Sequence, residues 1–192
     1  MEPTEAYRQA IMAFDGVMTS VPADAWDGPS PCEAWTLRDV AGHVTWGVHL
    51  VTHLALGEEF TSREGAPGSA TPGTVVGPDP LATWTAARDA VLAALTPDVA
   101  AGPGPAAFVA RDPNATLGDF LPVVTTDMVG HAWDLAHGTG TVVATGPDLL
   151  EAVTSTSRRI VNRSTGMFGP EQPAPADADG LTRFAAYLGR RV

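Results

Sequence analysis

The segment 127–134, DMVGHAWD, of the 192-residue chain carries two carboxylates and one imidazole at helical spacing. Asp127, His131 and Asp134 are spaced i, i+4 and i+7, so on an α-helix they project within roughly 60° of one another. If this stripe faces a protein core, the three side chains need partners, because unpaired polar groups are costly to bury. A bound cation is one of the few partners that would satisfy all three groups.

A second predicted helix supplies a further histidine. His43 lies in the run DVAGHVTWGV, and its neighbours on the same face are apolar or small, which predicts that it points inward. Helical bundles commonly build metal sites from ligands on facing helices. We therefore predict His43, Asp127 and His131 as ligands of a divalent metal. Two histidines and one carboxylate leave positions open for water or substrate, and they suit Zn²⁺ first, with Ni²⁺, Fe²⁺ and Mn²⁺ as alternatives.

Each of these residues also has an ordinary structural interpretation. A single histidine on an apolar face, such as His43, is more often a hydrogen-bonded core residue than a ligand. Asp127 and His131 at i, i+4 also form a common helix pair. The residues alone leave Asp134 open between a group that supports a ligand and a solvated surface charge.

Other polar residues give weaker signals. His49 and His53 are interpreted as surface or loop-proximal residues, and His137 as a last-turn residue that favours the helix dipole. Cys32 has no Cys-His signature around it and is better interpreted as a small buried thiol than as a nucleophile. Arg88 is a candidate partner for an anionic substrate, although a surface position is the simpler interpretation.

The composition narrows the class of protein and its partners. The chain carries 22 acidic residues and 11 arginines, with no lysine, for a net charge of −11. A surface this acidic argues against nucleic acid or an anionic membrane as a partner. One cysteine excludes an internal disulfide, and no secretory signal or membrane-spanning run is visible, so we expect a cytoplasmic protein. A chain of this length fits a single domain spanning residues 1–192.

Hydrophobic periodicity predicts an all-α protein with Gly- and Pro-rich loops at 58–78, 96–115 and 163–178. Thr36 with Asp39 and Thr116 with Asp119 resemble capping boxes and mark two helix starts. The predicted helices cover 4–20, the segment from the Thr36 cap to Gly57, 80–95, the segment from Thr116 to Gly138 or Gly140, 147–161 and 179–189. The expected architecture is an antiparallel four-helix bundle with additional short helices. The loops 58–78 and 96–115 are candidates to cover a site.

Three segments resemble motifs of one family. Residues 30–44, SPCEAWTLRDVAGHV, are similar to the opening motif of the DinB-like proteins related to mycothiol-dependent maleylpyruvate isomerase. Residues 127–140 resemble the second motif of that family, and the tail 181–191, LTRFAAYLGRR, resembles its ending. The resemblance implies a DinB-like bundle with a divalent ion held by His43, Asp127 and His131. In the isomerase the carboxylate position is usually glutamate, and a further C-terminal domain is present that this chain has no room for.

The resemblance favours a metal-dependent enzyme without establishing activity, and three functions are open. The first is a transferase or isomerase that uses a mycothiol-type thiol on a small electrophile through a metal-activated thiolate. The second is a metal-dependent hydrolase, which needs the same ion and an activated water. The third is a metal-binding helical protein without activity. The expected partners are a small-molecule substrate and a low-molecular-weight thiol, with a homodimer proposed by analogy.

Overall fold

Eight α-helices form the protein in a computed structural model that describes residues 1–192. The helices are α1 (Pro3–Met18), α2 (Leu37–Leu56), α3 (Pro80–Ala94), α4 (Pro97–Ala100), α5 (Ala106–Val109), α6 (Leu117–Thr139), α7 (Pro147–Ile160) and α8 (Gly180–Tyr187). The chain has no β-strand, only two isolated bridges. The all-helical class predicted from the sequence is confirmed. No helix has both the length and the apolar character that crossing a membrane requires.

Helix α6 is the centre of the packing. It contacts α1, α2, α7 and α8, and α2 packs in addition against α3. Buried side chains from these six helices belong to one continuous hydrophobic cluster. Because α2 and α6 are packed against each other, a residue on the inner face of one can meet a residue on the inner face of the other.

Side-chain caps fix the beginnings of α2 and α6. The Thr36 hydroxyl accepts from the Asp39 amide and the Asp39 carboxylate accepts from the Thr36 amide, which is a complete capping box. Thr116 and Asp119 form the same arrangement at the start of α6. Both predicted starts are confirmed, and they set the helical register that carries His43 inward.

Several predicted boundaries were wrong. Helix α1 ends at Met18, because the hydroxyls of Thr19 and Ser20 both bond back to the Gly16 carbonyl. Gly138 lies inside α6, whose C-cap is Gly140 in the left-handed conformation. The predicted loops are also more ordered than expected. They contain α4 and α5 in 96–115 and 3-10 turns at Pro72–Val75 and Arg163–Thr165.

Candidate metal centre

His43 of α2 meets Asp127 and His131 of α6 where the two helices pack together. His43 Nε2 lies 3.3 Å from one carboxylate oxygen of Asp127, and His131 Nε2 lies 3.5 Å from the other. The two imidazole rings stand nearly perpendicular, at 77°, with their centroids 5.0 Å apart. Both histidine side chains are 7% exposed, whereas the Asp127 side chain is 44% exposed. The structure thus brings together all three residues predicted as ligands, with the carboxylate on the solvent side.

Each imidazole is oriented by a hydrogen bond on the side away from Asp127. Nδ1 of His43 lies 2.7 Å from the carbonyl oxygen of Gly65, and Nδ1 of His131 lies 2.8 Å from Asp134 Oδ2. A carbonyl and a carboxylate only accept, so each Nδ1 carries a proton, and in the neutral ring the Nε2 lone pair points toward Asp127. One ligand atom from each of the three residues lies within 4.8 Å of the other two. This donor set, with both histidines held from behind, fits a divalent ion.

Without an ion, the same three groups hold a proton between them. The partial burial of Asp127 opposes its ionisation, but the neighbouring imidazoles outweigh this effect and hold the pKa of the carboxyl well below its usual range. Burial acts to lower the pKa of His131, but Asp127 and Asp134 together raise it to about 9. At neutral pH the metal-free site therefore contains an imidazolium at His131 between two carboxylates. A cation that binds there must displace that proton.

The C-terminal tail reaches the centre through Arg190. Its Nε lies 3.1 Å from Asp134 Oδ1 and its Nη2 lies 2.8 Å from Asp134 Oδ2, so the guanidinium bonds to both carboxylate oxygens. Asp134 is completely buried. Burial acts to raise the pKa of Asp134, but Arg190 and His131 outweigh it and lower the pKa below its usual value. The interpretation of Asp134 as a solvated charge was therefore wrong: it links His131 to Arg190.

The loop between α2 and α3 also reaches the centre. Besides the bond from His43 to Gly65, the indole Nε1 of Trp46 donates to the Ser62 carbonyl at 3.0 Å. A Cβ at position 65 would lie 2.3 Å from the Cβ of Trp46, so a glycine is needed for this close approach. The sequence-based expectation that the segment 58–78 lies over a site agrees with these contacts.

Aromatic rings surround the imidazoles. The Trp35 ring centroid lies 5.0 Å from that of His43 and 5.8 Å from that of His131. On the other side, Trp46 is stacked at 6.5 Å from His43 and in turn contacts Phe60. These rings shield the faces of the ligands from water, which strengthens any electrostatic interaction at the Nε2 atoms.

A second group of potential ligands shares His131. Cys32, His131 and Asp134 also place one ligand atom each within 4.8 Å of one another. Two observations argue against this cluster as the metal site. Both carboxylate oxygens of Asp134 already bond to Arg190, whose positive charge opposes a cation. Burial, reinforced by the charge of Asp134, raises the pKa of Cys32 to about 11, so its thiol stays protonated at neutral pH.

The remaining candidate residues lie outside this cluster. His53 Nδ1 contacts the carbonyl of His49 one turn earlier in α2, and both side chains are partly buried. His137 is exposed in the last turn of α6 and stacks on Trp133 at 4.5 Å. Both observations agree with the structural roles expected from the sequence.

Arg88 has a partner that neither interpretation foresaw. Its guanidinium forms ion pairs with Asp15 of α1 at 2.6 Å and with Asp89 at 2.8 Å. Asp15 also accepts from the indole of Trp84 at 2.9 Å. Arg88 therefore joins α3 to α1 from a partly exposed position, and because its charge is already paired it is not a free partner for an anionic substrate.

The sequence did not reveal that four further residues lie at or beside the centre. Trp35 and Arg190 lie within the first and last motifs of the family resemblance, but nothing in the spacing assigned either of them a role. The Gly65 carbonyl carries no signal at all, because every residue has a carbonyl. Cys32 has no histidine near it in the sequence, yet it lies beside His131 in space.

Residues 7–136 match the family of the mycothiol maleylpyruvate isomerase N-terminal domain. The chain belongs to this family. The matched region covers more than half of the chain and contains His43, Asp127 and His131, whereas Arg190 lies beyond it. The family resemblance seen in the sequence motifs is confirmed.

Two curated relatives match this family member along its whole length. They are uncharacterized proteins of Mycobacterium tuberculosis, one from strain CDC 1551 / Oshkosh and one from strain H37Rv. Each is 32% identical over 197 residues, covering 100% of both chains. No solved structure matches.

Proposed function

We propose that this protein is a metal-dependent enzyme that uses a low-molecular-weight thiol of the mycothiol class to attack a small electrophile. The observation that carries the proposal is the arrangement of the two imidazoles. The Nε2 atoms of His43 and His131 face the Asp127 carboxylate, and each Nδ1 is held by an acceptor behind it. Membership of a mycothiol-related family supports the choice of thiol.

The chain's own residues would hold and support the ion. His43, Asp127 and His131 would bind it, with Zn²⁺ the best suited to two imidazoles and a carboxylate. A divalent ion supplies a Lewis acid that lowers the pKa of a thiol or water, so that a nucleophile exists near neutral pH. Asp134 keeps the His131 ring in one tautomer and orientation, and Trp35 excludes water from the ring faces.

The charges of the cluster favour an anionic nucleophile. With both imidazoles neutral, Asp127, Asp134 and Arg190 carry one net negative charge in total. With a divalent cation added, the cluster has one net positive charge beside two buried imidazoles. A thiolate would neutralise that charge, whereas a neutral ligand would not.

The metal proposal is tested by the metal content of freshly purified protein. We expect about one equivalent of divalent metal per chain, with Zn²⁺ the first choice. His131→Ala should lose the metal. His137→Ala should keep it, because His137 is exposed on the same helix and contacts Trp133 rather than any of the three predicted ligands. Full metal occupancy in His131→Ala would reject the site.

The thiol proposal is tested by turnover. Incubation with mycothiol and monochlorobimane should give a fluorescent conjugate that disappears after removal of the metal and returns when Zn²⁺ is added. The same assay with His131→Ala should give only the uncatalysed rate. A metal-loaded protein that conjugates no thiol would reject this part of the proposal and leave the metal site intact.

A metal-dependent hydrolase is the second candidate. It is favoured by the 44% exposure of the Asp127 side chain, because water reaches the carboxylate directly. Metal-dependent cleavage of ester or amide substrates without thiol transfer would support it. Thermal stabilisation by the metal without any turnover would instead indicate a non-enzymatic metal-binding protein.

A further inference from the structure

A groove of about 1140 Å³ lies between α7, α8 and the segment that precedes α8. Its lining runs from Pro147 to Tyr187, so it contains none of the three predicted metal ligands and lies wholly beyond the family match at residues 7–136. The volume is enough for a small organic molecule, since ligand sites usually enclose about 300–1000 Å³. The groove is therefore a feature separate from the metal centre.

Three arginines line this groove in a protein with a net charge of −11. None of Arg158, Arg159 and Arg183 takes part in an ion pair, although the chain has twice as many acidic as basic residues. Arg159 bonds only to the hydroxyls of Ser155 and Thr156 on its own helix. Arg158 makes no side-chain hydrogen bond to the protein, so its guanidinium is available to a ligand.

The wall opposite α7 is fastened in place. At one end of the segment 172–176 the backbone N–H of Gln172 donates to the Ala186 carbonyl at 2.9 Å. At the other end the Arg183 guanidinium donates to the Ala176 carbonyl at 2.9 Å. Pro173 and Pro175 stiffen the chain between these two bonds. The groove is thus preformed, which lowers the entropic cost of binding.

Apolar and aromatic side chains lie beside the arginines. Phe184 is buried at the groove, and Leu150 and Tyr187 are partly buried there. The guanidinium of Arg163 lies over the Tyr187 ring, 5.1 Å from the ring centroid. Such a surface suits a flat or branched apolar group next to an acidic group.

We propose that this groove binds a small amphipathic monoanion, an organic acid with one acidic group and an apolar body. The acidic group would lie against Arg158 and Arg159, and the apolar body against Phe184, Leu150 and the proline wall. Two carboxylates, Glu151 and Glu171, also line the groove and reduce its net charge to one positive unit. That balance favours a single negative charge over a dianion.

The test uses anilinonaphthalene sulfonate, a fluorescent aromatic monoanion, with the full-length protein. We expect saturable binding to one site that weakens as salt is added. Arg158→Gln with Arg159→Gln should weaken binding about tenfold or more, because the acidic group loses its charge-assisted hydrogen bonds. Arg111→Gln is the matched control, because Arg111 is also exposed and unpaired but lies outside the groove. N-phenylnaphthylamine, which has the same rings without the sulfonate, should bind more weakly, and its affinity should not change with these substitutions.

A second variant checks the location independently. Thr154 lines the groove one turn before Arg158 on α7, so Thr154→Glu would place a carboxylate beside that guanidinium and should also weaken the probe. His131→Ala and removal of the metal should leave binding unchanged, which separates this site from the metal centre. Absence of saturable binding, unchanged affinity in the two groove variants, or equal affinity for the neutral probe would each overturn the proposal.

Discussion

The bond between Arg190 and Asp134 ties the C-terminal tail to the candidate metal centre, and Arg190→Gln tests what this bond contributes. Asp134 is fully buried and the Arg190 side chain is 13% exposed, so the pair is largely removed from water. Removal of one partner from a buried ion pair costs about 3–5 kcal/mol, because the other charge remains buried. We expect the lower end, about 3 kcal/mol, since Asp134 keeps its bond to His131. That is a large share of the roughly 5–15 kcal/mol that stabilises a typical protein.

Asp134→Asn tests a different role of the same network. Residues that hydrogen-bond to the second ring nitrogen of a metal-bound histidine typically contribute about 10–100-fold to metal affinity. Asp134→Asn removes the charge that supports His131 directly, so the affinity for Zn²⁺ should fall within that range. Arg190→Gln leaves this carboxylate in place, and its effect on Zn²⁺ affinity should be smaller than its effect on stability.

Urea unfolding of the metal-free protein and Zn²⁺ competition with a chromophoric chelator would measure the two effects separately. Arg191→Gln is the matched control, because Arg191 is the exposed neighbour on the same tail. The double variant of Asp134→Asn with Arg190→Gln should lose less stability than the sum of the single variants, by about 1 kcal/mol or more. If Arg190→Gln costs no more than Arg191→Gln, the tail is not held by this ion pair and our reasoning fails.

Four further predictions concern residues around the centre. Zn²⁺ affinity should increase about tenfold per pH unit up to about pH 9, because below the raised pKa of His131 the cation must displace one proton. An affinity that does not change with pH between 6.5 and 9 would contradict a protonated imidazole at His131. The free energy of unfolding of the metal-free protein should decrease between pH 6.5 and about pH 9. The raised pKa of His131 stabilises the folded state below pH 6.5, and that contribution is lost as the pH rises through about 9. Cys32→Ser should retain its metal, and iodoacetamide should alkylate Cys32 slowly at neutral pH because burial raises its thiol pKa to about 11; loss of metal would instead place the ion at the second cluster. Gly130→Ala should lower the urea midpoint by an amount equivalent to about 1 kcal/mol, because the new Cβ would lie 2.9 Å from Leu188 Cδ1. The overpacking cost of about 1–3 kcal/mol is offset in part by the better helix propensity of alanine. An unchanged midpoint would show that the Leu188 side chain moves aside at no cost.

The helices that position the site could be predicted because their signals are local. A threonine and an aspartate three residues later define each capping box, and both partners are adjacent in the sequence. Once Thr36 and Thr116 set the starts, helical periodicity assigns the inward faces that carry His43 and His131. The end of α6 was placed wrongly because a tertiary contact competes there with a local signal: Gly138 is helical, and its lack of a side chain lets Leu37 approach closely.

The supporting groups could not be predicted because their partners are distant in the chain. Arg190 lies 56 residues from Asp134, and the Gly65 carbonyl lies 22 residues from His43. No periodicity relates such positions, and only the folded packing of the tail and the loop on α2 and α6 brings them together. The tail motif contained Arg190, yet one arginine among 11 carries no information about its partner.

The stripe of Asp127, His131 and Asp134 shows how far helical spacing determines chemistry. Spacing predicted that the three side chains share one face, but the proposed common cation is not what satisfies Asp134. A histidine has two ring nitrogens that point in different directions, so His131 directs Nε2 back to Asp127 and Nδ1 forward to Asp134. The His131 ring therefore separates the two carboxylates of the stripe: Asp127 faces its Nε2 atom, and Asp134 lies behind it at Nδ1. A carboxylate behind the ring needs its own cation, because it is sealed from water, and here the tail provides that cation as Arg190.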